Sequence, residues 1–283
     1  MSEFTSIQTL FFSPTGTTKK IARAIARGVA APTRETSESS VREIDLTHEE
    51  NPAARIDGRT VTILAAPVYG GHVAPTASRR MEGIHGAGGP AVVVVVYGNR
   101  AFEHAAGELA ELARRQGFNP IAAAAFVGEH SYSTPSTPIA AGRPDAADLA
   151  AAEAFGQSVR RKIDRGTPAP VDASRLKERS TPLVPMLRFI AFAIRYMIRQ
   201  RRHPDIAVPE GDPASCTHCG RCAAICPVQA IPRGDETRTD PSRCIRCCAC
   251  VKGCPVGART FHTPFAAALA RNFSRRKEPV TLL

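Results

Sequence analysis

Nine cysteines fall between Cys216 and Cys254, and none in the first 215 residues. Eight of them write one pattern twice: Cys216, Cys219, Cys222 and Cys226 before Pro227, then Cys244, Cys247, Cys250 and Cys254 before Pro255. Thiolates spaced this way on a short turn take three corners of a cubane iron–sulfur cluster. The run C-x2-C-x2-C-x3-C-P is the spacing of a two-cluster [4Fe–4S] segment, whose fourth cysteine serves the other cluster. One cluster is therefore expected on Cys216, Cys219, Cys222 and Cys254, and the other on Cys244, Cys247, Cys250 and Cys226. Tetrahedral zinc also uses C-x2-C pairs, but eight cysteines in this duplicated spacing point to iron and sulfide. Cys248 falls outside both templates and reads as a packing residue or a free thiol. His218, inside the first loop, reads as exposed filler or as a hydrogen-bond donor to sulfur.

A second group lies in the N-terminal half. Ser13-Pro14-Thr15-Gly16-Thr17-Thr18 offers hydroxyls and free backbone N–H groups at the start of a helix, which suits a monophosphate. It lacks the lysine and spacing of a triphosphate loop; an ordinary N-cap turn is the alternative. Further on, Ala66–Val73 contains Pro67, Tyr69, Gly70 and His72, and another run reads Tyr97-Gly98-Asn99-Arg100. Glycine admits a flat ligand close to the backbone, and tyrosine offers a ring face. Singly, each tyrosine reads as a strand-end packing residue. A phosphate loop and two tyrosine–glycine loops at one sheet edge together suit flavin mononucleotide.

Those loops need elements to bring them to one edge. Ile7–Phe12, Thr60–Ala66, Ala91–Tyr97 and Pro120–Val127 are β-branched or continuously apolar runs, expected as strands covered on both faces, with a weaker strand at Val41–Leu46. Helices are expected at Thr17–Ala31, Thr76–Ile84, Phe102–Gln116 and Asp145–Ile163. Alternation of strand and helix predicts an α/β fold, a doubly wound five-stranded parallel sheet whose ligand sits beyond the strand C-termini. In the cysteine region, short helices at Arg221–Ile225 and Ala249–Gly253 and matching strands at Val228–Ile231 and Val256–Phe261 would make a small α+β domain. A domain that small has little apolar core, so its clusters would be structural as well.

The 283 residues predict two domains, and 43% apolar against 22% charged residues exclude fibrous and wholly disordered classes. The net charge of +11 is uneven: residues 1–170 carry +1 and residues 171–283 carry +10. Nucleic acid is not expected as a partner, because no recognition module or aromatic-interleaved basic stripe occurs. The opening Met1-Ser2-Glu3-Phe4 has no secretory pattern, and the longest apolar runs have seven residues, so a cytoplasmic protein with reduced cysteines is expected.

Ser13–Thr18 resembles the phosphate loop of short-chain flavodoxins. Across the whole chain, the S-P-T-G-T-T, P-V-Y-G-G and Y-G-N-R segments together with the two cysteine runs resemble the EFR family ferredoxins, fusions of a flavodoxin-like domain with a two-cluster ferredoxin. The resemblance implies that Ser13, Thr15, Gly16, Thr17 and Thr18 hold the FMN phosphate. It also implies that Pro67, Tyr69 and Gly70 flank one side of the isoalloxazine, with Tyr97, Gly98 and Asn99 on the other. The family is expected to carry arginine where His72 stands.

The expected organisation is a flavodoxin-like domain at 1–168, a linker with a basic and apolar helix at 169–207, the ferredoxin domain at 208–263 and a basic tail at 264–283. In Leu183–Arg202, Arg188, Arg195, Arg199 and Arg202 form one stripe on an otherwise apolar helix. A helix wedged between domains and buried on most sides is expected, with a peripheral membrane contact or a partner-binding helix as the alternative. The expected function is electron transfer between FMN and two [4Fe–4S] clusters, linking two-electron and one-electron redox proteins as donor and acceptor. An FMN-dependent reductase of a small molecule fed by the clusters, and a cluster-dependent redox sensor, are the alternatives.

Overall fold

The computed structural model describes residues 4, 6–31, 40–166, 168–178, 182–204 and 206–283. They divide into two compact units, each assembled from more than one stretch of chain: 1–129, 142–178 and 277–283 in the first, 130–141 and 179–276 in the second. The contiguous division expected at residue 168 is thus replaced by an interleaved one.

The first unit begins with β1 (Ser6–Phe11), α1 (Thr17–Ala30), β2 (Val41–Asp45), β3 (Ala54–Ile56), β4 (Thr60–Tyr69), β5 (His72–Val73) and α2 (Pro75–Met81). It continues with β6 (Ile84–Gly86), β7 (Pro90–Tyr97), α3 (Ala105–Arg115), β8 (Asn119–Val127) and α4 (Ala146–Asp164). The main sheet runs β2-β1-β4-β7-β8 with all neighbours parallel. That is the flavodoxin-like doubly wound order, with β1 at the switch point. All five expected strands are present, each within three residues of its expected ends. The continuous valines of β7 and Ile121–Val127 of β8 are buried throughout, as strands covered on both faces require.

α1 and α4 lie together on one face of this sheet and share a core with Ile63, Val94 and Phe126. They meet at two glycines: a Cβ added to Gly28 would lie 2.0 Å from the Glu153 carbonyl oxygen, and one on Gly156 would lie 2.2 Å from that of Ile25. This close approach fixes the helix whose N-terminus carries Ser13–Thr18.

The second unit contains α5 (Leu183–Arg202), β9 (Glu210–Gly211), α6 (Arg221–Ala224), α7 (Ala249–Lys252), β10 (Arg259–Thr260) and α8 (Pro264–Asn272). Phe189 and Phe192 of α5 pack on Phe265 of α8, and Ile139 from the loop after β8 joins Phe189, Leu269 and Phe273. Three expectations need correction here. Val228–Ile231 is not a strand, because Gln229 turns left-handed at φ 50°; β10 instead pairs antiparallel with β9. The segment 264–283 is no plain tail: after α8 it ends in β11 (Val280–Leu282), which pairs antiparallel with β8 as an added strand of the first unit's sheet. α5 is not buried on most sides, since Phe189 is its one buried residue. Among the described residues, no helix is long and apolar enough to cross a membrane.

Gly28→Ala should destabilise the first unit by about 1–3 kcal/mol, because the new methyl meets backbone rather than a side chain that can move. Urea unfolding of the full chain, followed by far-UV circular dichroism, reads this directly; an unchanged midpoint would mean that the helices part freely.

Candidate functional site

Each cysteine run folds into the same backbone form. Left-handed residues occur at matching places: His218 and Arg246, Gly220 and Cys248, and Gln229 and Gly257, with φ between 50° and 70°. Gly220 and Cys248 are the N-caps of α6 and α7, which carry the third cysteine of each run, Cys222 and Cys250. Left-handed backbone costs a non-glycine residue roughly 1–2 kcal/mol. Both loops therefore hold a costly backbone form, at the same places in each run.

Two cavities result. Cys216, Cys219, Cys222 and Cys254 line one, together with Glu236 and Arg259. Cys226, Cys244, Cys247 and Cys250 line the other, with Ile231, Ile245 and Thr239. Each cavity thus takes three cysteines from one run and the fourth from the other, the grouping that the spacing implies. Cys248 borders the second cavity, but its Sγ lies 3.6 Å from the Arg246 carbonyl oxygen. It occupies the position that Gly220 fills in the first run.

The donor set suits a cluster. The Ala230 N–H donates to Cys226 Sγ at 3.2 Å, the kind of bond that tunes a metal-bound sulfur. Burial pushes the Cys247 thiol up to about 12 and the Cys250 thiol up to about 11. Such thiols become thiolates only beside a strong positive charge, as iron would supply. Burial also raises the Cys254 thiol, but the N–H groups of Arg259, Val256, Ala258 and Gly257 outweigh it and leave the group below its ordinary value.

Two residues that the spacing did not single out organise the cavities. Arg259, 2% exposed, donates to the carbonyl oxygens of Glu236 and of Pro209 (2.6 Å) and to the Thr239 hydroxyl. Its charge faces Cys222 and Cys250, one from each cavity. Glu236 is also buried; its carboxylate accepts from the Gly234 N–H at 2.9 Å and faces His218 Nδ1 at 3.1 Å. These contacts hold its carboxyl below the usual range. His218 is therefore partnered by a carboxylate. The one available signal was an arginine inside the apolar run Val256–Phe261.

In the first unit, the loops after β1, β4 and β7 follow three adjacent parallel strands and so share one edge of the sheet. The Ser13 hydroxyl accepts from the Lys19 N–H at 3.0 Å, and the Ser13 N–H donates to the Thr47 hydroxyl at 2.9 Å. Buried Arg80 of α2 fixes that neighbouring loop by donating to the carbonyl oxygens of Leu46 and Thr47. Gly16 stands at φ 82° with open space where a Cβ would go. The first-turn N–H groups of Thr17 and Thr18 have no intrahelical carbonyl to bond. The Thr18 hydroxyl is buried without a protein partner. A phosphate here would satisfy these donors, so the loop fits the phosphate end of FMN.

Tyr69 ends β4 half-buried, and Gly70 beyond it is exposed at φ 64° with open space. Half-buried Pro67 accepts from the Ala74 N–H. Tyr97 is buried and meets Phe102 edge to face at 5.4 Å, and left-handed Asn99 is buried too, so the β7 loop presents half-buried Gly98 rather than a free ring. His72 Nδ1 lies 2.5 Å from Glu108, whose other oxygen accepts from the Val73 N–H. That carboxylate holds the imidazole at the place where arginine was expected.

Residues 215–258 match the 4Fe-4S dicluster domain family, which fits an electron-transfer role. No match was found among curated proteins. Among solved structures, a flavodoxin from the domain Archaea aligns at 15% identity over 56% of this chain and 99% of that one, with a TM-score of 0.34. An NADH:FMN oxidoreductase (EMOB) aligns at 17% identity over 54% and 89%, with a TM-score of 0.37. Rubredoxin oxygen:oxidoreductase from Desulfovibrio gigas aligns at 14% identity over 57% of this chain and 36% of its own length, with a TM-score of 0.36.

Arg259→Met would take the charged donor from two buried carbonyls and a part-buried hydroxyl, at a cost of about 1–3 kcal/mol. Arg259→Lys, which keeps the charge but loses the fork, should recover only part of it. Equal unfolding midpoints for the native chain and Arg259→Met would show that the guanidinium is dispensable.

Proposed function

We propose that this chain is a cytoplasmic electron carrier that binds FMN in its flavodoxin-like unit and two [4Fe–4S] clusters in its second unit. The two cysteine cavities, each completed by the other run, carry this reading. Bound FMN would exchange electrons in pairs or singly and each cubane one at a time, so the chain would link two-electron and one-electron redox proteins. Cys216, Cys219, Cys222 and Cys254 hold one cluster; Cys244, Cys247, Cys250 and Cys226 hold the other. Arg259 offsets the negative charge of both cysteine sets and ties the loops that bear them. Ser13, Thr15, Gly16, Thr17 and Thr18 bind the flavin phosphate through backbone N–H groups and hydroxyls. Pro67, Tyr69 and Gly70 border one side of the ring, and Tyr97, Gly98 and Asn99 shape the other, with Tyr97 acting from beneath through its packing on Phe102.

Anaerobically purified chain should contain about eight iron, eight sulfide and one FMN. Stoichiometric zinc without sulfide would overturn the cluster assignment. Cys222→Ser and Cys254→Ser should disturb the same cluster, as read by electron paramagnetic resonance of the reduced protein. Cys248→Gly should leave both clusters in place with little change in stability, because the strain that glycine relieves at the left-handed backbone is offset by the loss of a buried side chain.

Gly16→Val should weaken FMN binding sharply while leaving iron content unchanged. A branched side chain at φ 82° strains the loop and fills the space that a phosphate would enter. Flavin titration of the apoprotein checks this, and equal affinity in the variant would move the phosphate elsewhere.

A further inference from the structure

α5 is amphipathic in an unusual way: both of its faces are apolar, and only one is covered. Phe189, Phe192 and Tyr196 pack against α8. On the opposite side Leu183, Leu187, Ile190, Ile194 and Met197 follow steps of four and three along one stripe, and all are between 44% and 71% exposed. A soluble surface rarely leaves so large an apolar strip open without a use for it. The strip belongs to a helix with no acidic residue and with exposed arginines at 188, 195, 199, 201 and 202.

On another side of α5, a groove of about 430 Å³ lies between it and α8. Its floor includes Phe192 and Ala268, and Arg188 and Arg195 of α5 and Arg271 of α8 stand around it. Among the described residues, no carboxylate pairs with these three guanidinium groups. α8 has no acidic residue either. Three arginines around an apolar floor, on a helix that also bears an exposed apolar strip, match one kind of surface: acyl chains bordered by anionic phosphate headgroups.

We propose that α5 and α8 form a docking surface for an anionic phospholipid bilayer. The stripe from Leu183 to Met197 enters the headgroup–acyl boundary, and the groove of Arg188, Arg195 and Arg271 receives a lipid phosphate. The helix lies in the plane of the interface, since it is not apolar enough to span a bilayer. This goes beyond the electron-carrier reading and does not depend on it.

The full-length chain should float with vesicles of phosphatidylcholine plus phosphatidylglycerol and remain behind with phosphatidylcholine alone. Arg188→Glu/Arg195→Glu should reduce partitioning at least about tenfold, because each basic residue at an anionic surface contributes roughly fivefold. Ile190→Ser/Ile194→Ser should abolish flotation with net charge unchanged. Both positions are exposed, so far-UV circular dichroism should match the native chain. Three outcomes would overturn the proposal: no flotation of the native chain, equal binding to both vesicle types, or full binding by the isoleucine variant. A native dimer that the isoleucine variant splits, with no vesicle binding by either, would also overturn it and assign the face to a second copy.

Discussion

The cysteine-bearing part of the second unit is organised by one constraint: eight sulfurs line two cavities from two short loops, and each cavity takes its fourth cysteine from the other loop. Cys226 leaves its run at the end of α6, and Cys254 leaves at the end of α7. Each is carried into the cavity that the other run opens. The left-handed residues repeated in both runs and the buried Arg259 are the means by which so small a segment holds that crossover. Its own apolar cluster is slight, centred on Ala223, Ile231 and the cysteines themselves, and bound clusters would add the stability that so small a core does not supply.

The parts legible in the sequence were those with a strong local signal. The valines of β7 and the apolar run of β8 announce buried strands, and the doubled cysteine spacing announces the crossed cavities. What stayed hidden depends on long-range partners. Arg259 looks like one more arginine in an arginine-rich chain; only the fold shows that it is the buried donor to three acceptors. β11 is three residues long, and its strand character comes wholly from the open edge of β8 that it covers. Val228–Ile231 has strand composition, yet the turn that carries Cys226 into its cavity demands a left-handed residue there. At the flavodoxin-like edge, the Tyr-Gly run after β7 suggests a ring facing a ligand. Burial of Tyr97 against Phe102, and of Asn99 beside it, leaves half-buried Gly98 as the surface on offer.

The arginines of the chain include two chemically different populations. Some arginines are structural: Arg259 is the example in the second unit, as Arg143 is in the first, where its Nε donates to buried Asp148 at 2.8 Å and its Nη1 to the Lys277 carbonyl at 2.9 Å. Those guanidinium groups have acceptors fixed by the fold. Arg188, Arg195 and Arg271 have none among the described residues and stand beside exposed apolar side chains. A solvated basic surface would not need that apolar strip, and a buried packing helix would not need those arginines. Both requirements are met together where water, phosphate and hydrocarbon adjoin.

The interleaving of the chain changes what can be cut from it. A piece ending at residue 168 would keep β8 but lose β11, so its last parallel strand would present a bare edge of N–H and C=O groups. It would also lose Lys277, whose ammonium bonds the Arg100 carbonyl at 2.5 Å and pairs with Glu178 beside the Tyr97 loop. A piece confined to 208–263 would retain all eight cysteines of the two cavities but lose α5 and α8, together with the loop after β8 that supplies Tyr132 to Phe261 and Ser133 to Lys252. The segment that looks like a self-contained ferredoxin in sequence is thus only part of a folding unit, and the segment that looks like a flavodoxin ends with the last residues of the chain.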